Sequence, residues 1–95
     1  MLSQIEKYKN KILEILKKHD VKRASLFGSI VRDEMTKGSD IDILIEFEGS
    51  KSLLDLVRLK LNLEEVLKFK VDVVTYNSLH PLLKEQILAE EVEIL

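Results

Sequence analysis

This 95-residue sequence predicts an α/β (α+β) fold, a small sheet flanked by helices in the order αβαβαβα. Three observations predict it. Apolar residues recur at three- and four-residue spacings over residues 4–19, and Ser52 opens a helix-length, largely apolar segment to about Leu67. Between and after these stretches, the runs 21–27, 41–47 and 70–75 alternate with period two. Gly28-Ser29, Thr36-Lys37-Gly38-Ser39 and Gly49-Ser50 separate the periodic segments with turn residues.

Each element has its own signal. Ser3 followed by Glu6 forms a capping-box pair, and Ile5, Tyr8, Ile12, Ile15, Leu16 and His19 then form one apolar stripe. Val21 to Phe27 reads as a strand, with Ala24, Leu26 and Gly28 alternating against Ser25 and Phe27. Ile30 to Met35 reads as one or two helical turns. In the second strand Ile41, Ile43 and Ile45 face one way, while Asp40, Asp42, Leu44 and Glu46 face the other. Ser52 is placed to cap a helix that runs to about Leu67. The third strand, Lys70 to Thr75, puts Val71 and Val73 on one face and Asp72 and Val74 on the other. A last helix is expected from Asn77-Ser78 to about Glu90, with Pro81 tolerated in its first turn, followed by a short extended tail at Val92 to Leu95.

Composition narrows the function classes. The length predicts one domain over 1–95, and 45% apolar with 34% charged residues is the balance of a globular chain. No apolar run reaches the roughly 18 residues of a membrane span, and no signal peptide is visible. The absence of cysteine excludes disulfides and thiolate metal sites and suits a cytoplasmic protein. A formal charge of −2 argues against direct nucleic-acid binding, although a few local groups can hold a triphosphate.

The chemistry-bearing residues are few. Asp40 and Asp42 are two apart in a strand, so they project side by side with α-carbons about 6.5–7 Å apart and can share a divalent ion. Mg²⁺ suits this pattern because it takes a small number of carboxylates together with water and phosphate oxygens. Asp72 supplies a third carboxylate on another strand; if that strand adjoins the second, all three acids converge. Three carboxylates with two Mg²⁺ ions roughly 3.5–4 Å apart form a recurring arrangement for in-line displacement at phosphorus, with Asp72 placed as a base. Gly28 and Ser29 end a strand before a helical turn, where backbone N–H groups and the Ser29 hydroxyl would meet a phosphate. Arg32 would add charge to the same phosphates.

Gly28-Ser29, ten intervening residues, then Asp40-Ile41-Asp42 resembles the Gly-Ser-x10-Asp-x-Asp signature of the DNA-polymerase-β-like nucleotidyltransferases. With "SDIDILIEF", "VDVVT" and the short length, nearly the whole chain resembles the minimal nucleotidyltransferase (MNT) family. The resemblance implies that superfamily's small mixed β-sheet and a Mg²⁺-dependent transfer of AMP from ATP. It also implies an antitoxin whose partner and acceptor is a HEPN-domain toxin, modified on a tyrosine hydroxyl. By the same resemblance Gly28 and Ser29 hold phosphates, and Asp40, Asp42 and Asp72 form the metal-binding catalytic triad. Asp33 departs from the pattern, standing where the family often has glycine, and so puts an acid near the phosphate site. Two other readings compete: an idle binding module that neutralises the HEPN partner by covering it, and nucleotidyl transfer to a small molecule.

The remaining candidates are less informative. His19 is expected at a helix end, Tyr8 in the core, and Tyr76 and Lys37 on the surface. Apolar residues cover roughly 240° of the helix over 53–67, more than one core needs. Either that helix is buried on two sides within the monomer, or it meets a partner, which could be the HEPN protein or a second copy.

Overall fold

The computed structural model describes residues 4–95. Helix α1 spans Gln4–Lys18, strand β1 Val21–Phe27, β2 Asp40–Phe47, helix α2 Leu53–Leu67, β3 Lys70–Thr75, α3 Pro81–Glu90 and β4 Val92–Glu93. Ser3 lies outside the described residues, so the capping box expected there does too. The sheet is mixed, in the order β3-β2-β1-β4: β1 is antiparallel to both β2 and β4, and β2 is parallel to β3.

Two of the expected boundaries shift for local reasons. Ile30 to Met35 is not helical throughout; a 3-10 turn covers Gly28–Ile30, and Asp33 then takes a left-handed conformation with φ of 55°, which ends any helix. The last helix begins at Pro81 rather than at Asn77-Ser78, which form a separate 3-10 turn with Tyr76. Leu79 and His80 are both extended, His80 because the residue before a proline is driven out of the helical region. The His80 ring then accepts a hydrogen bond from the Leu82 backbone N–H and caps the first turn. The tail joins the sheet edge: Val92 lies opposite Leu26 and Glu93 opposite Ser25.

α1 and α2 cover one face of the sheet. Ile12, Ile15 and Leu16 of α1 and Leu59, Leu63 and Leu67 of α2 pack with Ala24, Leu26, Ile41, Ile43, Ile45, Val71 and Val73 in a single core. Tyr8 packs against this core edge-on to Phe69, with centroids 5.5 Å apart, and His19 bonds Asn62 at 3.0 Å. α2 starts where the sequence places it, with the Ser52 N–H donating to the Asp55 carboxylate at 2.8 Å. Leu53, Leu54, Val57, Leu61 and Val66 stay exposed, so the second-side burial within the monomer does not occur.

The opposite sheet face carries Ser25, Asp42, Leu44, Asp72 and Val74, and Ser25 and Leu44 are wholly buried there. Tyr76 is half-buried rather than on the surface: its hydroxyl hydrogen-bonds Ser25 Oγ at 2.7 Å, and its ring lies under the Arg23 guanidinium at 4.4 Å. None of the described helices is long and apolar enough to cross a membrane.

Burial sorts the leucines of α2 by energetic weight. Leu59→Ala or Leu63→Ala is expected to cost about 2–5 kcal/mol through lost transfer energy and a residual cavity. Leu61→Ala, whose side chain is already in water, should stay within about 0.5 kcal/mol. Urea unfolding of the three variants tests this ranking.

Candidate active site

β2 places Asp40 and Asp42 on one face because Ile41, Ile43 and Ile45 hold the other face in the core; a one-residue slip would bury both acids. β3 adjoins β2 in parallel register, with Asp42 opposite Asp72 and Asp40 opposite Lys70. Adjacent strands are about 4.8 Å apart, so Asp42 and Asp72 are cross-strand neighbours of like charge. The exposed Asp40 and Asp72 flank the half-buried Asp42. The structure thus brings the three aspartates to one end of one face.

Gly28 closes the site from the side of β1. Phe27 is the register partner of Asp42, and the next residue turns with φ of +78°. A Cβ on Gly28 would stand 2.2 Å from Asp42 Oδ2 and 3.2 Å from its Cγ. The backbone at Gly28 therefore packs directly on the Asp42 carboxylate, a duty the sequence did not disclose. Ser29 comes next, at the amino end of the 3-10 turn, where a helical turn leaves backbone N–H groups without internal acceptors. Ile30, wholly buried, anchors that turn in the core.

The electrostatics reflect this crowding. The Asp42 carboxyl is pushed up to about 6, first by burial, then by the negative charges of Asp72 and Asp40, with Glu90 adding to them and Arg32 opposing. Arg32 donates from Nε to Glu34 at 3.0 Å and from Nη1 to Glu90. These acids, the Glu34 hydrogen bond first, raise its already high pKa and keep the guanidinium charged.

Asp33 is accounted for by local structure. Its φ of 55° is the region glycine favours and aspartate tolerates, and its carboxylate accepts the Gln4 backbone N–H at 2.7 Å. The acid thus caps the first turn of α1. The Gln4 side chain completes the tie: its Nε2 donates to the Met35 carbonyl at 3.0 Å, and its Oε1 accepts from the Met35 N–H at 2.9 Å.

Among the described residues, no three His, Cys, Asp or Glu side chains already enclose a point at which a metal ion could sit. The donor set nevertheless fits a cation shared with a substrate. Mg²⁺ is commonly held by one or two carboxylates and completed by phosphate oxygens and water. Here a half-buried carboxyl is raised first by burial and then by two like-charged neighbours, and a bound divalent cation would relieve that repulsion. A separate cavity of about 240 Å³ lies toward the far end of the sheet, lined by Glu46, Lys51, Thr75, Tyr76 and Asn77 among others. None of the three aspartates lines it, so the cavity and the acidic cluster lie at different ends of the sheet.

The sequence reading missed Glu90. It lies 58 residues from Arg32 in the chain, and nothing in its local pattern signals that the end of α3 returns to the site. The Ser25–Tyr76 bond was missed for a similar reason: each residue alone looks like an ordinary strand or surface position.

Comparison with known proteins gives a consistent result. Residues 10–95 match the family described as polymerase beta, nucleotidyltransferase. A Methanocaldococcus jannaschii chain provisionally named a protein adenylyltransferase is 64% identical over 91 residues, covering 96% of this chain and 98% of its own length. The protein adenylyltransferase MntA of Thermococcus cleftensis is 37% identical over 81 residues, covering 85% of this chain and 82% of its own. Among solved structures, one provisionally described as a minimal nucleotidyltransferase superposes with a TM-score of 0.79 at 39% identity, covering 93% of this chain and 90% of that one. A crystal structure described as a toxin–antitoxin with AMP-PNP superposes at 0.81 and 25% identity, covering 92% and 72%.

The crowding at Asp42 and the conformation of Asp33 can each be tested by substitution. A carboxyl whose folded-state pKa is raised favours the protonated native state, so that stability is full below about pH 3.8 and is lost as pH rises toward about 6. Asp42→Asn removes the ionisation. It should raise the melting temperature at pH 7.5, leave it nearly unchanged at pH 3.5, and flatten the decline between. Asp33→Ala should cost about 1–3 kcal/mol through loss of the cap and strain at positive φ, and Asp33→Gly should cost less because only the cap is lost. Thermal melts of both variants check that order.

Proposed function

The chain belongs to the polymerase beta nucleotidyltransferase family and is an enzyme of that family, and on this premise we propose that it transfers AMP from Mg-ATP to a tyrosine hydroxyl of a HEPN-domain toxin. In this reading it acts in the cytoplasm as the antitoxin of the pair. The observation that carries the proposal is the seating of Asp42: opposite Asp72 in the parallel pair, beside Asp40, and against the bare backbone of Gly28. Relatives named protein adenylyltransferases and a toxin–antitoxin structure with AMP-PNP support the substrate class.

Each residue then has a role. Gly28 and Ser29 receive the triphosphate with backbone and hydroxyl donors. Arg32 contributes its guanidinium to the same phosphates, where leaving-group charge develops. Asp40, Asp42 and Asp72 would hold a pair of Mg²⁺ ions, which when bound neutralise the triphosphate and activate the attacking hydroxyl. The tyrosine oxygen forms a bond to the α-phosphorus as the bond to the pyrophosphate oxygen breaks. Asp72, exposed at the rim, takes the hydroxyl proton. The exposed apolar stripe of α2 offers surface for the toxin or for a second copy of this chain.

Intact mass of the HEPN partner, after incubation with this protein and Mg-ATP, tests the reading. The expected result is a gain of one or more AMP units. Asp72→Asn should slow the gain by about 10²–10⁴-fold, and Asp42→Asn should abolish it. Neutralisation of the toxin with no gain of mass would favour a binding module. AMP transfer to a small molecule without the partner would favour the third reading.

A further inference from the structure

Arg32 is exposed, yet it does not hang free. Glu34 accepts from its Nε at 3.0 Å, and Glu90 accepts from Nη1. A guanidinium has five N–H donors; these two bonds leave three for another ligand. Glu34 is local to the loop, but Glu90 is the last residue of α3. Its position is set by the strand just beyond it: β4 pairs with the carboxyl-terminal half of β1, Val92 opposite Leu26 and Glu93 opposite Ser25. β1 itself runs on into Gly28. The same edge pairing that completes the sheet therefore delivers a carboxylate to the guanidinium beside the site. Arg32 stands four residues past Gly28, whose backbone packs on the Asp42 carboxylate, so the pair lies beside the acidic cluster.

We propose that Glu90 is a positioning residue: through the β4–β1 edge it clamps Arg32 so that the remaining guanidinium donors are presented to the nucleotide phosphates. The inference rests on the nucleotidyltransferase reading and adds to it a residue on α3. A long side chain already restrained by two carboxylates has less rotamer freedom to lose when phosphate binds, so the clamp acts by pre-organisation. The charge of Glu90 works the other way, because it repels a triphosphate. For a positioning residue the first effect exceeds the second; for a competing anion the reverse holds, and binding tells them apart.

The test is a double-mutant cycle on binding of Mg-AMP-PNP to the full chain, read by titration calorimetry and independent of any acceptor. Arg32→Ala should weaken binding about tenfold, Glu90→Ala about fivefold, and the double variant no more than about twofold beyond Arg32→Ala alone. Glu90→Gln keeps an oxygen acceptor at the same reach and should recover most of the loss, and Glu90→Leu, which keeps bulk but removes the acceptor, replaces Glu90→Ala in the cycle if that variant melts early. Multiplying losses in the double variant, or unchanged or tighter binding by Glu90→Ala, would overturn the inference while leaving the function intact. Failure of the unmodified chain to bind Mg-AMP-PNP would overturn both.

Discussion

The burial of one face of β2 and β3 is the constraint on which the rest of the structure depends, because it holds three like charges together on the other face. A parallel pair with Asp42 opposite Asp72, and Asp40 two residues away, is costly by itself. It persists because the other faces of the same strands are pinned. Ile41, Ile43, Ile45, Val71 and Val73 are buried under α1 and α2, and no change of register can relieve the acids without exposing those residues. The Asp42 carboxyl is raised first by its burial and then by this repulsion, which a bound cation would relieve.

Around this pair the chain is tied at points far apart in sequence. Gly28 lies against Asp42, and the loop after it is fastened to the start of α1 through Asp33, Gln4 and Met35. At the other end of the chain, α3 carries the backbone from the β3 edge to the β4 edge and brings Glu90 to Arg32. The first and last helices thus both contact the loop between β1 and β2. A loop with a 3-10 turn and a left-handed aspartate would have little order alone; here its geometry is over-determined by its neighbours.

α2 divides its apolar surface between two tasks. Leu59, Leu63 and Leu67 close the core, and Leu53, Leu54, Val57 and Leu61 remain in water. Such a helix is wider in its apolar arc than the monomer can use, and it leaves an apolar surface of a kind that marks interaction sites.

The sequence by itself determined the three principal strands, the first two helices and the candidate acids. Period-two alternation of Ile and Val is a local consequence of burial, and it names Asp40, Asp42 and Asp72 as the residues left on the other face. Ser52 with Asp55 likewise announces the start of α2, because capping is settled within one turn. What only the tertiary structure decided depends on pairs distant along the chain. That β3 adjoins β2, that Gly28 packs on a carboxylate, that Asp33 caps α1, and that Tyr76 reaches Ser25 are outcomes of packing with no local trace. Glu90 is the clearest case: it belongs to the site only because a two-residue strand pairs with the edge of β1, and hydrogen bonds between strands carry no signature in the sequence of either one.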